Sequence, residues 1–252
     1  MIEIIGVPDI PEVTGGDRVG ALLSAAAAAA GIEISDEDVV VLSQKVVSKA
    51  EGRVRDLDTV DPGDRAQELA TELGKDPRLV ELILSESRRV VRAERGVLIV
   101  ETSSGWICAN AGIDASNVPG DETVTLLPLD PDASARRVRA QIAEACGARP
   151  AVVISDSFGR PWRLGQADVA IGCAGLVVVD DWRGRRDAQG RELAATAVAV
   201  ADELAAAADL ARDKAAEVPA VVVRGAAGWV TEEDGPGAAA ALQRPGQDDL
   251  FR

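Results

Sequence analysis

The sequence contains no histidine, no tyrosine and only two phenylalanines among its 252 residues. Without histidine there is no Ser-His-Asp or Cys-His catalysis, no imidazole zinc site and no histidine phosphotransfer. Acid, base or metal chemistry must come from carboxylates, lysines, hydroxyls and backbone, which leaves hard cations with oxygen ligands as the natural option. Aromatics make up 2% of the chain, too few for base-stacking platforms. Positive charge is also short: 27 Lys+Arg against 42 Asp+Glu leave a formal −15. Such a chain repels phosphate, so non-specific nucleic-acid binding is not expected. The three cysteines, Cys108, Cys146 and Cys173, show no CxxC spacing and read as reduced, small side chains of a cytoplasmic protein. The Ala-dominated run up to Ala30 is too short and too weakly apolar to span a bilayer. The opening Met1-Ile2-Glu3-Ile4-Ile5 lacks the basic region of a secretory leader.

What is present is an ordinary folded balance, 47% hydrophobic and 27% charged, long enough for a sizeable core of Val, Leu, Ile and Ala. Short apolar runs at Ile2–Val7, Val39–Leu42, Val97–Glu101, Trp106–Cys108, Val124–Leu129, Ala151–Ile154, Val169–Val179 and Val218–Gly225 read as strands. Helices are expected at Arg18–Ala30, with a cap from the Thr14–Asp17 turn, from an Asp61-Pro62-Gly63-Asp64 start to about Leu73, at Pro77 to about Ser87, and from Asp132 to Ala145. A long Ala-rich helix is expected from Arg191 to about Lys214. Interleaved strands and helices make the class α/β, or intermixed α+β. Residues 1–234 read as one domain and 235–252 as a short helix and a frayed tail.

There is no Walker A pattern, and no G-x-G-x-x-G that follows a strand and opens a helix. Polar clusters instead stand at strand ends, where open α/β sheets gather ligands. Asn110-Ala111-Gly112-Ile113-Asp114-Ala115-Ser116-Asn117 is a glycine-containing loop able to offer Asp114 to a cation and Asn117 to a nucleotide, or to be a plain turn. Ser155-Asp156-Ser157-Phe158-Gly159-Arg160 sets a carboxylate beside hydroxyls and an arginine, for metal and phosphate, or for a cap. Ser43-Gln44-Lys45, with Lys49 one helical turn on, suits anions or a solvated face. Six arginines between Arg160 and Arg191 run against the prevailing sign and would attract polyanionic small molecules. The sum is metal-assisted phosphate chemistry.

The segments SQKVVSKAEGR, LILSESRRV, NAGIDASN, LPLDPDASARRVR, ISDSFGRPWR, DVAIGCAGL, DWRGRRDAQGRELAATAVAVADELA and VPAVVVRG occur in this order over nearly the whole chain. Together they resemble the coenzyme F420-0:L-glutamate ligase family. The resemblance implies an α/β fold of mixed sheets with interlocked subdomains, a homodimer, and GTP-dependent addition of L-glutamate to coenzyme F420-0 and its γ-linked tail. It implies two magnesium or manganese ions and a potassium ion. Asp114, Asp156 and Ser157 match the metal-binding positions; Ile10, Pro11, Glu12, Val13, Gln44, Lys45, Lys49 and Asn117 match nucleotide contacts. Lys49 and Arg160 join the two aspartates as candidate catalytic residues. The sequence departs from the family pattern at Arg212-Asp213-Lys214, where many relatives have Gly plus Gln or Glu; a lysine cannot ligate a cation, so the second metal lacks one ligand unless Asp213 or Glu217 substitutes. The resemblance is to a stand-alone ligase, so the flavin-binding domain fused to some relatives is not expected. A metal-dependent phosphohydrolase and a non-catalytic nucleotide-binding subunit are the alternative readings.

Overall fold

The computed structural model describes residues 1–116, 120, 122–212 and 218–249. In chain order, the first half holds β1 (Glu3–Gly6), α1 (Val19–Ala29), β2 (Val39–Ser43), α2 (Gln44–Ala50), β3 (Val54–Asp56), α3 (Asp64–Leu73), α4 (Pro77–Ser85), β4 (Ser87–Glu94), β5 (Val97–Thr102), β6 (Ile107–Ala109) and β7 (Thr123–Thr125). The second half holds α5 (Pro131–Cys146), β8 (Ala151–Arg160), β9 (Arg163–Ala174), β10 (Asp180–Asp181), β11 (Ala197–Val198), α6 (Val200–Asp209), β12 (Ala220–Arg224) and α7 (Ala238–Leu242).

Local chemistry explains most boundaries. Asp76 and Asp130 cap α4 and α5 by accepting from Arg78 N and Ala133 N, and a proline follows each in the first turn. Gly74 and Gly147 close α3 and α5 in the left-handed conformation that a Cβ disfavours. The cap expected for α1 is absent: Arg18 stands at the cap position and makes no side-chain capping bond, and Asp17 accepts instead from Thr14 N and Oγ1, closing its own turn.

A five-stranded sheet in the order β1-β12-β2-β8-β9 forms the centre. Strands β2 and β8 run parallel, and the other neighbours antiparallel. Because β2, β8 and β12 are apolar on both faces, they call for cover on both sides. One face packs Val40, Leu42, Val152, Ile154 and Val222 against Leu23 of α1 and Val138 and Ile142 of α5. The opposite face packs Val39, Val41, Val153, Val221 and Val223 against Val200, Leu204 and Ala208 of α6. A satellite core joins α3 and α4 to the β4-β5-β6 sheet through Leu69, Ile83, Leu98 and Val100. The class is therefore α/β with several mixed and antiparallel sheets, as the sequence implied. No helix among the described residues is long and apolar enough to cross a membrane.

Two expectations need correction. The helix placed at Arg191–Lys214 is shorter: α6 begins at Val200, while Arg191–Ala199 returns along residues 180–187 through Asp180↔Val198, Asp181↔Ala197 and the Arg186↔Glu192 bridge. Alanine-rich composition favours a helix there, but residues 194–197 are exposed, Val198 alone of the stretch packs on the core, and backbone pairing holds the segment instead. The strand expected to end at Ile154 continues to Arg160, because β9 supplies partners for its polar half, including Asp156↔Val169 and Ser157↔Asp168. Within 235–252, the short helix is α7, whose first residue Ala238 is buried and donates its N–H to Asp132.

Candidate active site

At the carboxyl ends of parallel β2 and β8 lies a cleft of about 720 Å³, the position where open α/β sheets bind ligands. Four separate stretches build it. Ile10–Val13 forms one rim; Ser43, Lys45 and Lys49 come from the β2–α2 junction; Cys108–Ser116 follows β6; and Ser155–Gly159 is the polar half of β8. Asp168, Asp209 and Arg212 complete the wall.

The β6 loop is fixed before any ligand is considered. Asn110, Ala111 and Gly112 have φ of 53°, 54° and 69°, a run of left-handed residues of which two carry a Cβ, at a cost of about 1–2 kcal/mol each. The loop then pins Asp114 by its backbone: Asp114 N donates to Thr125 O, and its carbonyl accepts from Thr125 N and Oγ1. The Asp114 carboxylate accepts from Ser116 N at 2.6 Å and pairs with Lys45 Nζ at 2.9 Å. Burial raises its pKa, but the bonds from Lys45 and Ser116 outweigh this and hold it below the usual carboxylate value.

Asp156 has the opposite environment. Burial first, then the charges of Asp168 and Asp114, push its carboxyl up to about 7, against the Ser157 N–H bond and the charge of Lys45. Cys108 is pushed up to about 12 by burial and then by the charge of Asp156, so its thiol is inert. Ser157 Oγ donates to Asp168 Oδ1 at 2.7 Å, which leaves its lone pairs available to another partner. Lys49 Nζ donates to Glu12 Oε1 at 2.7 Å.

The cleft therefore gathers Asp114, Asp156, Ser157, Lys45, Lys49 and the Ile10–Val13 rim, all named from the sequence. Gln44 is adjacent but fully buried: its Oε1 accepts from Ser48 Oγ, and its Nε2 has no partner among the described residues. Arg160 sits at the exposed β8–β9 tip, donates to Leu164 O, and is not part of the cleft wall. The remaining arginines up to Arg191 are also outside it; Arg183 and Arg185 pair with Asp181 and Asp180. Asn117, like Asp213 and Lys214, lies outside the described residues. Asp168 was missed as a site residue, although the DVAIGCAGL segment begins with it; only the register opposite Ser157 reveals its place.

Carboxylates on the cleft wall outnumber cations five to three, so the protein alone offers an anionic ligand a net negative surface. A hard divalent cation fits this donor set of two carboxylates and a hydroxyl with free lone pairs. Among the described residues no three acidic or thiol side chains form a ready-made cage. That matches the habit of magnesium, which takes one or two carboxylates and fills its shell with water and substrate oxygens. Lys45 already holds a positive charge against Asp114, where such an ion would bind.

Comparison with known proteins adds an independent finding. A family model described as F420-0:Gamma-glutamyl ligase matches residues 8–225. A protein of Methanothermobacter thermautotrophicus named "Coenzyme F420:L-glutamate ligase" is 45% identical over 252 residues, covering 100% of this chain and 99% of its own length. Proteins of the same name from Methanopyrus kandleri and Haloarcula marismortui are 42% and 44% identical, over 100% and 88% of this chain and 98% and 87% of theirs.

Proposed function

The chain belongs to the F420-0:gamma-glutamyl ligase family, and from that premise we propose that it joins L-glutamate to the terminal carboxylate of coenzyme F420-0 in a GTP-dependent reaction. The observation that carries the reading is the meeting, in one cleft, of Asp114, Asp156, Ser157, Lys45 and Lys49 from segments far apart in sequence.

A carboxylate is a poor electrophile, and amide formation in water needs it activated. In the proposed route, an acceptor carboxylate oxygen attacks the γ-phosphorus of GTP, forming an acyl phosphate and releasing GDP. The glutamate α-amine then attacks the acyl carbon, loses a proton, and displaces inorganic phosphate. Asp114, Asp156 and Ser157 are the residues to hold divalent cations, magnesium or manganese. Such ions neutralise the phosphate charge that the cleft's own carboxylates oppose. Lys45 and Lys49 steady the nucleotide phosphates, exchanging their present bonds to Asp114 and Glu12 for bonds to ligand oxygens. The Ile10–Val13 rim receives the nucleotide. Potassium as an accessory ion and a homodimeric assembly complete the proposal.

Phosphate release from GTP tests it: release that requires both glutamate and the glutamate-free coenzyme supports the ligase. Equal release without either co-substrate makes the protein a phosphohydrolase. No turnover and no metal-dependent GTP affinity by calorimetry would make it a non-catalytic subunit.

A further inference from the structure

Arg212 brings a guanidinium into the cleft wall just after α6. Its Nη1 donates to Asp168 Oδ2 and to Ser155 Oγ, both at 2.8 Å. Ser155 Oγ donates in turn to Asp168 Oδ2 at 2.7 Å, and Ser157 Oγ to Asp168 Oδ1 at 2.7 Å. Three side chains thus fill both sites of Asp168 Oδ2 and one of Oδ1, and the Arg212 and Asp168 side chains are only 8% and 5% exposed. The arrangement is costly, because Arg212 Nε and Nη2 are buried with no partner among the described residues. A buried ion pair also contributes little to stability by itself. The cost makes sense in terms of the site, where Asp168 would otherwise be one more bare carboxylate beside Asp156.

We propose that Arg212 is a built-in counter-cation that withholds Asp168 from metal binding and reserves it for orienting the Ser155 and Ser157 hydroxyls. Asp168 then acts as a positioning residue. With the Ser157 hydrogen directed at Asp168, the oxygen's lone pairs stay available to a cation held with Asp156. Asp209 also faces the guanidinium from the cleft wall, so a negative environment favours Arg212 over a neutral residue there. The inference rests on the cleft being a cation site, as proposed above.

The test counts bound Mn2+ by electron paramagnetic resonance on chelator-stripped full-length protein, with the metal alone as probe. Arg212→Met, which unmasks Asp168, is expected to bind one more Mn2+ per chain than the unaltered protein. Arg212→Lys keeps the charge and is expected to retain the original count. The double variant Arg212→Met/Asp168→Asn removes both partners and is expected to return to it. A count and affinity for Arg212→Met equal to or below those of the unaltered protein would overturn the inference. If Arg212→Met fails to fold by circular dichroism, Arg212→Gln takes its place under the same criterion. Should the unaltered protein bind no Mn2+, the cation-dependent reading of the cleft fails, while a gain in Arg212→Met would still support the masking of Asp168.

Discussion

Replacing Asp156 by asparagine is expected to make the protein inactive and, in the absence of metal, more stable. The carboxyl goes from the ordinary 3.8 to about 7 on folding, chiefly through burial. Between those values the native state binds a proton that the unfolded chain has released, so stability falls as pH rises through this window and levels off above it. At about 1.4 kcal/mol per pH unit the full effect is about 4 kcal/mol. Residual exposure of Asp156 to the cleft trims this to about 2–4 kcal/mol. Asparagine keeps an acceptor for the Ser157 N–H but has no charge to desolvate, and the fixed cost of burying its amide cancels in the pH dependence. Urea unfolding of both proteins in EDTA, from about pH 4 to about pH 8, reads the effect. The variant's advantage should grow across that range and then plateau. A gap between the two proteins that stays constant with pH would refute the account of Asp156 as a desolvated carboxyl.

Three further outcomes follow from the geometry. Lys45→Met removes the 2.9 Å partner of Asp114 and should weaken GTP binding about tenfold, the scale of one lost charged hydrogen bond, with the melting temperature little changed; calorimetry checks it. Gly172→Ala would set a Cβ 2.3 Å from Pro131 O and should cost about 1–3 kcal/mol in chemical denaturation, since backbone, not a flexible side chain, stands in the way. Of the three thiols only Cys146 is exposed, and burial pushes Cys108 to about 12 and Cys173 well above its ordinary value. One fast-reacting thiol per native chain is therefore expected with a thiol reagent, and three after denaturation.

The strands that form the centre of the sheet were legible because each is a short apolar run with both faces buried, as at Val39–Leu42 and Ala151–Ile154. Strand β4 was not. Its Arg88-Arg89-Val90-Val91-Arg92 has no strict alternation, since bulges between Ser87 and Arg89 and between Val90 and Arg92 reset which side chains face the core. The α6 boundary was missed because helix propensity is indifferent to whether Ala194–Ala197 has anything to pack against. At the site, Asp114 and Asp156 were visible as polar residues placed directly after apolar runs. Asp168 and the reach of Arg212 were hidden, because both act through tertiary pairing: one across the β8–β9 register, the other across 44 residues of sequence.

The central claim is glutamate ligation, and mass spectrometry of the coenzyme tests it most directly. Purified protein is incubated with coenzyme F420-0, GTP, L-glutamate and manganese. Product heavier by whole glutamyl residues is expected, absent when GTP is omitted and absent with Asp156→Asn. Coenzyme recovered at its starting mass, from protein shown to be folded and bound to GTP, would contradict it.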